Sequence, residues 1–334
     1  MKPGPTGAGP DSFDFGGVHV SRILITGGAG FLGRRLARRL MSAGGSAPSL
    51  TLWDHLPFEG PHGAKVVVVD LLDDANRSAA LTGGVDAIVH LAAVVSAQAE
   101  ADFDLGMRVN LDGTRALLEA CRNLDKPPVF VMTSSVAVFG GDLPAKVPDN
   151  WAVRPASSYG TEKAIVELLV NEYSRRGVID GRLLRLPTVV VRPGRPNQAA
   201  SSFASSIIRE PLAGEGAVCP VDPATPMWLM SPDRAIDALV HALALEAGEL
   251  GLDRVISLPG LSVTVAEMVA ALQRVAGKSV AELIDWTPDP AIAAIVQSWP
   301  GDFEATRAWA LGFLADGAMD EIIEQHIRDR KEDQ

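Results

Sequence analysis

A glycine-rich turn near the start of the chain restricts the possible folds more than any other feature of the sequence. The turn reads Thr-Gly-Gly-Ala-Gly-Phe-Leu-Gly and directly follows a short apolar run at residues 22–26. Gly27 permits a tight turn, Gly30 lets backbone N–H groups approach a pyrophosphate at a helix N-terminus, and Gly33 lets the helix lie close to a sheet. A glycine turn alone can form without any ligand, but here a strand, a turn and a helix follow in the required order. The turn therefore predicts a dinucleotide-binding site.

From residue 22 onward, short β-branched runs alternate with longer helical periods. This alternation is typical of βαβ units and a parallel sheet. The predicted strands are residues 22–26, 50–54, 65–69, 87–91, 129–133 and 183–191. The predicted helices are residues 31–43, 73–81, 102–123 and 157–176. We therefore expect an α/β, Rossmann-type doubly wound parallel sheet, with right-handed crossovers that place helices on both faces.

The composition changes after Arg192, where six prolines fall between residues 193 and 226. Ser231-Pro232 and the Thr264-x-x-Glu267 pattern are signals for helix N-termini in this part of the chain. We expect three regions. Residues 1–20 form a flexible extension, residues 21–192 form an NAD-binding Rossmann domain, and residues 193–330 form mainly a smaller C-terminal substrate-binding lobe, with some segments returning to the Rossmann core.

Composition excludes several classes of function. The formal net charge is −11, which argues against a nucleic-acid partner because binding the phosphate backbone needs a basic surface. The two cysteines, Cys121 and Cys219, are far apart and have no metal-ligand spacing, so we expect reduced thiols and no metal site. No apolar run is long enough to span a membrane, and the Gly/Pro-rich start does not resemble a secretory signal. These features predict a cytoplasmic protein without a membrane partner.

Asp54, at the end of the second predicted strand, favours NAD over NADP. A carboxylate at this place accepts hydrogen bonds from both ribose hydroxyls and repels a 2′-phosphate. Asp54 could instead only cap a turn, and Arg34 and Arg35 are the residues that could reverse the preference. Asp70, after the third predicted strand, is expected to bracket the adenine together with its neighbour Leu71.

Tyr159, Lys163 and Ser135 form a candidate acid/base set. A phenol with a pKa of about 10 is a weak base at neutral pH, so a nearby cation is needed to stabilise the phenolate. Tyr159 and Lys163 are four residues apart, on one face of a predicted helix. Ser135 ends the preceding strand, where its hydroxyl can point into the same crevice. Taken singly, Tyr159 reads as a packing residue and Lys163 as a solvated charge, whereas the three together predict catalysis.

Four further motifs add to the glycine turn: His90-Leu91-Ala92-Ala93, Asn110-Leu111-Asp112-Gly113-Thr114, Tyr159-Gly160-Thr161-Glu162-Lys163 and Leu311-Gly312-Phe313. With them, residues 22–320 resemble an extended short-chain dehydrogenase/reductase. The resemblance implies that the cofactor lies across the carboxyl ends of the strands and the substrate lies under the C-terminal lobe. It also implies a homodimer formed through a four-helix interface.

The resemblance assigns roles to individual residues. Tyr159 is the acid/base, Lys163 contacts the nicotinamide ribose, and Ser135 holds the reacting oxygen. Ser135 is chosen over Ser134 because it lies three residues before the valine of Val138-Phe139-Gly140. The expected cofactor contacts are Gly27, Gly30, Phe31, Leu32, Gly33, Asp54, Asp70, Leu71, Leu91, Ala92, Ala93, Asn110, Tyr159, Lys163 and Pro187. The expected substrate contacts are Ser96, Ser135, Tyr159, Thr188 and Arg192.

Departures from the family's patterns indicate the substrate. Val136 and Ala137 stand where sugar-nucleotide dehydratases carry an Asp-Glu pair, and Thr188 stands where nucleotide-sugar epimerases carry an asparagine for the diphosphate. Arg192 follows closely, and a guanidinium can hold a carboxylate through paired hydrogen bonds. Arg195 is as readily a surface charge as a substrate contact. This pattern suits a small hydroxy acid.

Longer stretches of the sequence resemble a branch of the family that acts on four-carbon sugar acids. These stretches are residues 110–120, 133–141, 158–176 and 184–211. We therefore expect NAD-dependent oxidation of the C2 hydroxyl of a small sugar acid. A nucleotide-sugar epimerase is the first alternative, against which the missing asparagine argues. A non-catalytic NAD-binding regulator is the second, against which the retained Tyr159 and Lys163 argue.

Overall fold

The computed structural model describes residues 13–15, 18–42, 48–194 and 201–332. Its strands are β1 Phe13–Phe15, β2 Val18–Val20, β3 Arg22–Thr26, β4 Ser49–Asp54, β5 Lys65–Val68, β6 Ala87–His90, β7 Val129–Ser135, β8 Asp180–Leu186, β9 Thr188–Val189, β10 Ala217–Cys219, β11 Pro226–Met230, β12 Val255–Ser257, β13 Leu261–Thr264 and β14 Ile284–Trp286. Its α-helices are α1 Phe31–Ser42, α2 Asp74–Leu81, α3 Ser96–Ala101, α4 Phe103–Gly106, α5 Thr114–Cys121, α6 Ser158–Arg175, α7 Ser202–Leu212, α8 Pro232–Ala244, α9 Ala247–Leu250, α10 Val265–Ala276, α11 Lys278–Ala281, α12 Pro290–Gln297, α13 Thr306–Ala310 and α14 Met319–Glu332.

A seven-stranded parallel sheet forms the centre of the molecule. Its strand order is β12-β8-β7-β6-β3-β4-β5, and every neighbouring pair runs parallel. Chain order reverses at β3 and β6, so the glycine turn after β3 lies at the switch point, where open α/β sheets bind ligands. The prediction of an α/β Rossmann-type sheet is confirmed.

The central strands are apolar along their whole length because both faces of the sheet are covered. Every residue of β6 is buried, as are four of the five residues of β3. Apolar side chains on one face pack with those of α1 and α8, and those on the other face pack with those of α5 and α6. Such continuous burial is the expected pattern of a parallel sheet between two helical layers.

Two predicted elements are wrong in their extent. The predicted strand at residues 183–191 is divided at Pro187, which has no N–H to continue a strand ladder. β8 stays in the central sheet, whereas β9 pairs with β11 in a separate sheet. The predicted helix at residues 102–123 comprises α4, a π-helical segment Met107–Gly113, and α5.

The C-terminal half builds a second apolar core. β13, β11 and β9 form a three-stranded sheet, and β10 pairs with β14. The two predicted helix starts are confirmed: Ser231 caps α8, and Thr264 forms a capping box with Glu267 at the start of α10. β12 joins the central sheet beside β8.

Residues 1–12 and 16–17 of the predicted N-terminal extension lie outside the described residues, and β1 pairs antiparallel with β2. The domain boundaries at residues 20 and 192 stay predictions. None of the helices in the described ranges combines the length and the apolarity that crossing a bilayer requires.

Candidate active site

The glycine turn between β3 and α1 is shaped to admit a ligand's phosphates. Gly27 has φ of +72°, and a Cβ there would lie 2.7 Å from Ala92 N. A Cβ on Gly33 would collide with Gly27 O, and Gly30 is exposed at the start of the helix. A side chain at Gly27 or Gly33 would therefore collide with the backbone around the turn. The geometry fits a pyrophosphate at the α1 N-terminus, and Phe31 and Leu32 lie half-buried in the first turn of that helix.

Asp54 ends β4 beside this turn and helps to shape it. Its Oδ2 accepts a hydrogen bond from Ala29 N at 3.0 Å. Arg34 donates to Ala29 O at 2.8 Å and lies over the ring of Phe58. Arg35 is turned away into ion pairs with acidic residues of α8 and α14. Both Asp54 and Arg34 thus hydrogen-bond the backbone of Ala29 in the turn, and Asp54 is the one that brings a negative charge there.

The turn after β6 closes the other side of the cofactor crevice. Asn110, in the π-helical segment, holds Val94 through both backbone groups: Val94 N donates to Asn110 Oδ1 at 2.8 Å, and Asn110 Nδ2 donates to Val94 O at 3.0 Å. Leu91, Ala92 and Ala93 precede Val94, and the backbone of Leu91 and Ala92 lies against Gly27. Asn110 therefore fixes the backbone expected to contact the cofactor.

Asp70 and Leu71, predicted to bracket the adenine, lie just after β5. Asp70 is exposed and accepts a hydrogen bond from Leu72 N at 2.9 Å. Leu71 is half-buried and packs close to Gly113 in the π-helical segment. His90 is held by Thr26 at 2.6 Å and Thr114 at 2.9 Å, so it is a hydrogen-bonded strand-end residue.

Tyr159 and Lys163 are brought together at the start of α6. Lys163 Nζ lies 5.6 Å from the centroid of the Tyr159 ring and donates to Thr133 O at 3.1 Å. Ser135 is two residues further along β7, where its Oγ accepts from Ala137 N at 3.1 Å. By contrast, the neighbouring Ser134 is buried and donates to Glu167 at 2.6 Å. Among the described hydrogen bonds, the Ser134 hydroxyl thus donates to a buried acid, whereas the Ser135 hydroxyl only accepts, and the role of Ser135 stays a prediction.

Burial sets the titration of this pair. It lowers the pKa of Lys163 to about 8, although the carboxylates of Glu162 and Glu167 oppose the change. It also raises the pKa of Tyr159 to about 12, the charge of Glu162 adds to the rise, and the guanidinium of Arg192 opposes it. The phenol therefore lies within electrostatic reach of a lysine and an arginine.

Arg192 is held at the mouth of the site by residues of α7 and the turn before it. Its backbone N donates to Ser205 Oγ at 3.1 Å, its Nη2 donates to Ser201 Oγ at 3.2 Å, and Arg209 Nη1 donates to its carbonyl at 2.7 Å. Burial, together with the positive charge of Arg209, lowers the pKa of Arg192. Arg209 is itself paired with Glu210 at 2.6 Å, whereas Arg192 has no carboxylate partner among the described residues and can accept an anionic ligand. Arg195 lies outside the described residues.

A cleft of about 990 Å³ opens next to the N-terminus of α6, and Ser135, Tyr159, Lys163 and Arg192 are not among its lining residues. Ser96, Ala137, Ser157 and Phe203 are among the residues that line it. The described charged residues in its lining are Glu100 and Glu210, both acidic. Glu210 is paired with Arg209 at 2.6 Å. Thr188 and Pro187, which are expected to contact substrate and cofactor, lie outside this lining, at the passage from β8 to β9.

Sequence reasoning missed the buried acids of α6. Glu162 accepts a hydrogen bond from Asn110 Nδ2 at 2.6 Å, and Glu167 pairs with Arg185 through two hydrogen bonds. One signal was present: Glu162, Val166 and Val170 follow the four-residue repeat of the buried face. An acid on an apolar helical stripe indicates a paired or functional carboxylate.

Comparisons with known proteins agree with this geometry. The sequence matches the NAD dependent epimerase/dehydratase family over residues 23–248. It is 54% identical to D-erythronate dehydrogenase from Cupriavidus necator, over 92% of this chain and 98% of that protein. It is 44% identical to D-erythronate dehydrogenase from Haemophilus influenzae, over 92% of this chain and 98% of that protein. A crystal structure of a nucleoside-diphosphate-sugar epimerase from Agrobacterium tumefaciens is 42% identical, with 98% of each chain covered and a TM-score of 0.90. The chain belongs to the NAD dependent epimerase/dehydratase family.

Proposed function

We propose that this protein oxidises the C2 hydroxyl of D-erythronate, a four-carbon sugar acid, to the 2-oxo acid. The observation that carries the proposal is that Lys163 Nζ lies 5.6 Å from the centroid of the Tyr159 ring, while the charge of Arg192 favours the phenolate of Tyr159. A phenolate base and an anion-binding arginine are the two groups that oxidation of a hydroxy acid requires. The names and the high identity of the two D-erythronate dehydrogenases support this substrate.

The reaction breaks the C2–H bond and the O–H bond of the C2 hydroxyl, and it turns the C2–O bond into a carbonyl. Tyr159 as phenolate takes the hydroxyl proton, while Ser135 Oγ–H donates to the same substrate oxygen and holds it. Lys163 keeps a positive charge beside the phenol and so favours the phenolate. Arg192 holds the substrate carboxylate through charge-assisted hydrogen bonds. When bound, NAD+ supplies the acceptor for the C2 hydride and a further positive charge near the phenol.

NAD, and not NADP, is the cofactor that the turn favours. Asp54 places a carboxylate at the end of β4, within hydrogen-bond distance of the glycine turn. A carboxylate at this position accepts hydrogen bonds from the ribose diol and repels a 2′-phosphate. Arg34 and Arg35, the residues that could reverse the preference, are occupied by carbonyl or carboxylate partners.

Two alternatives have less support. The Agrobacterium tumefaciens relative is called a nucleoside-diphosphate-sugar epimerase, but this chain has Thr188 at the position where an asparagine for the diphosphate is expected in such an epimerase. A regulator that only binds NAD would not need Tyr159 beside Lys163. Tyr159 and Lys163 are both retained and lie close together on α6, which favours an enzyme over a regulator.

We also propose a homodimer. Phe103 of α4 and Leu168 of α6 are large apolar side chains with 58% and 71% of their surface exposed. The two helices pack against each other, so these side chains lie on a common helical layer. Contact with a second copy would remove this apolar surface from water.

A direct assay tests the proposed reaction. Purified protein supplied with D-erythronate and NAD should form NADH, and NADP should support a much lower rate. Tyr159→Phe should abolish NADH formation because no phenol oxygen remains to take the proton. Tyr173→Phe is the matched control, since Tyr173 lies further along α6 and bonds Glu119 instead. An intact wild-type protein that forms no NADH from D-erythronate would rule out this substrate.

A further inference from the structure

Glu162 is a fully buried carboxylate between the two catalytic residues of α6. Its exposed fraction is 0%. Its Oε2 accepts a hydrogen bond from Asn110 Nδ2 at 2.6 Å. Its Oε1 has no hydrogen-bond partner in the described part of the chain and packs so closely on Gly106 that a Cβ there would collide with it. A buried carboxyl with one free oxygen is costly, so packing alone does not explain an acid here.

The hydrogen bond to Asn110 connects Glu162 with the cofactor crevice. Asn110 holds both backbone groups of Val94, and the residues before Val94 lie against Gly27 in the phosphate-binding turn. Asn110 Nδ2 thus donates both to Val94 O and to Glu162 Oε2. The Glu162 carboxylate is therefore a second acceptor for the amide that holds the turn after β6.

Glu162 also lies close enough to Tyr159 and Lys163 for its charge to affect both residues. It lies three residues after Tyr159 and one before Lys163, and residues three apart share a helix face. Its charge raises the pKa of both groups. The other charged groups that act on them are Arg192 on Tyr159, Glu167 on Lys163, and Glu100 of α3 on Glu162 itself. Lys163 in turn lowers the pKa of His90.

We propose that Glu162 is a positioning residue for the dehydrogenase: its carboxylate orients Asn110, and with it the turn after β6, and places a negative charge beside Tyr159 and Lys163. The inference rests on the proposed dehydrogenase reaction. Glu162 does not touch the substrate. It acts by holding a backbone turn and by setting the pH range in which the phenol and the ammonium have the required charges.

The variant Glu162→Gln separates charge from shape. Glutamine keeps the volume and an oxygen that can accept from Asn110, but it has no charge. Phenolate formation then becomes easier and the ammonium is less stabilised, so the pKa of both Tyr159 and Lys163 falls. Both limbs of the pH profile of kcat/KM should move to lower pH, by about one pH unit. A residue with a merely structural role would lower the rate without moving the limbs.

Two further variants complete the test. Glu162→Ala also loses the acceptor for Asn110 and should weaken NAD binding several-fold, measured by titration of protein fluorescence. Glu172→Gln is the matched control, since Glu172 lies on the same helix with exposed partners, and its profile should match the wild type. If the Glu162→Gln profile superimposes on that of the wild type, the inference is wrong.

A measurement without substrate distinguishes this inference from the proposed function. The chain has two tyrosines, so Tyr173→Phe leaves Tyr159 as the single tyrosine signal in carbon-13 NMR of labelled protein with NAD bound. Glu162→Gln in that background should lower the pKa of Tyr159. A shifted titration in a protein that does not oxidise D-erythronate would support the inference and overturn the substrate. An unshifted titration in an active enzyme would overturn the inference alone.

Discussion

At the scale of single residues, burial and neighbouring charges together determine the charged states of Tyr159 and Lys163. Burial disfavours the charged forms of both Tyr159 and Lys163. Arg192 favours the phenolate, whereas Glu162 opposes the phenolate and supports the ammonium. The base and its cation are thus controlled by different neighbours. This arrangement allows Lys163 to stay protonated in a buried position while Tyr159 remains able to exchange a proton.

The lowered pKa of Lys163 predicts a break in the pH profile of kcat/KM. The ammonium is present below a pH of about 8 and is lost as the pH rises through that value. Below about pH 8, kcat/KM should rise with the phenolate fraction of Tyr159, whose pKa is about 12. Above that pH, loss of the ammonium offsets the gain in phenolate, so kcat/KM should level off. Initial rates with D-erythronate across the pH range measure this break. In Lys163→Arg, where the guanidinium stays protonated, the break should disappear and kcat/KM should keep rising, even at a reduced maximal rate.

A break near pH 8 that persists unchanged in Lys163→Arg would contradict this assignment. The titrating group would then be another residue. A thermal melt of the variant at both ends of the pH range is the control, because it separates loss of the ammonium from loss of the fold.

Much of the candidate site was predictable from the residues, and the remainder was not. Tyr159 and Lys163 are four residues apart, so helix periodicity alone places them together. Glu162 and Glu167 were missed because acids are rarely buried and their partners are remote in sequence. Asn110 lies 52 residues from Glu162, and Arg185 lies 18 residues from Glu167. Only the packing of helix on sheet reveals such pairs.

At the scale of elements, α6 is anchored to the sheet by a buried ion pair. Glu167 accepts two hydrogen bonds from Arg185 of β8, at 2.8 and 2.7 Å, and one from Ser134 of β7. The side chains of the pair are 4% and 10% exposed. Glu167 lies one turn after Lys163. The pair therefore fixes the part of α6 that carries the ammonium to the two strands beneath it.

Breaking this ion pair should be costly. Arg185→Ala leaves the Glu167 carboxylate buried without its cation, and we expect a loss of about 3–5 kcal/mol in the free energy of unfolding. Urea denaturation measures it. Arg176→Ala is the matched control, since Arg176 pairs with Glu172 on the surface of the same helix, and it should leave stability unchanged. A loss below about 1 kcal/mol for Arg185→Ala would place the pair among weak surface contacts.

The elements of the sheet were predictable where they are long and apolar. The predicted strands at residues 22–26 and 87–91 differ from β3 and β6 by at most one residue. β12 was missed because its three residues are too few to show a period. The division at Pro187 depends on which sheet each half joins, and this is decided by the distant partners β11 and β12.

At the scale of the whole molecule, the site exists only where the two halves of the chain meet. The glycine turn, the turn after β6 and the start of α6 come from the central sheet and its helices. Arg192 is fixed by Ser205 and Arg209 of α7, which belongs to the second apolar core. Sequence patterns predicted the first part well. They predicted little of the second, because the strands of the lobe's sheet are short and come from separated segments, Thr188–Val189, Pro226–Met230 and Leu261–Thr264.

The proposed homodimer depends on the exposed layer of α4 and α6. Leu168 lies on α6, which also carries Tyr159 and Lys163, so contact with a second copy would stiffen the helix that positions the catalytic pair. Leu168→Glu places a charge on this layer and should shift the protein from dimer to monomer, as measured by sedimentation velocity. In the monomer, α6 would lose its contact with the second copy and be less constrained, so kcat should fall with the loss of the dimer. Leu252→Glu is the matched control: Leu252 is 82% exposed and lies in the turn before β12, so this variant should stay dimeric.

A wild-type protein that sediments as a monomer at assay concentration would contradict the dimer. A monomeric Leu168→Glu with full kcat would show that α6 needs no second copy to position Tyr159 and Lys163.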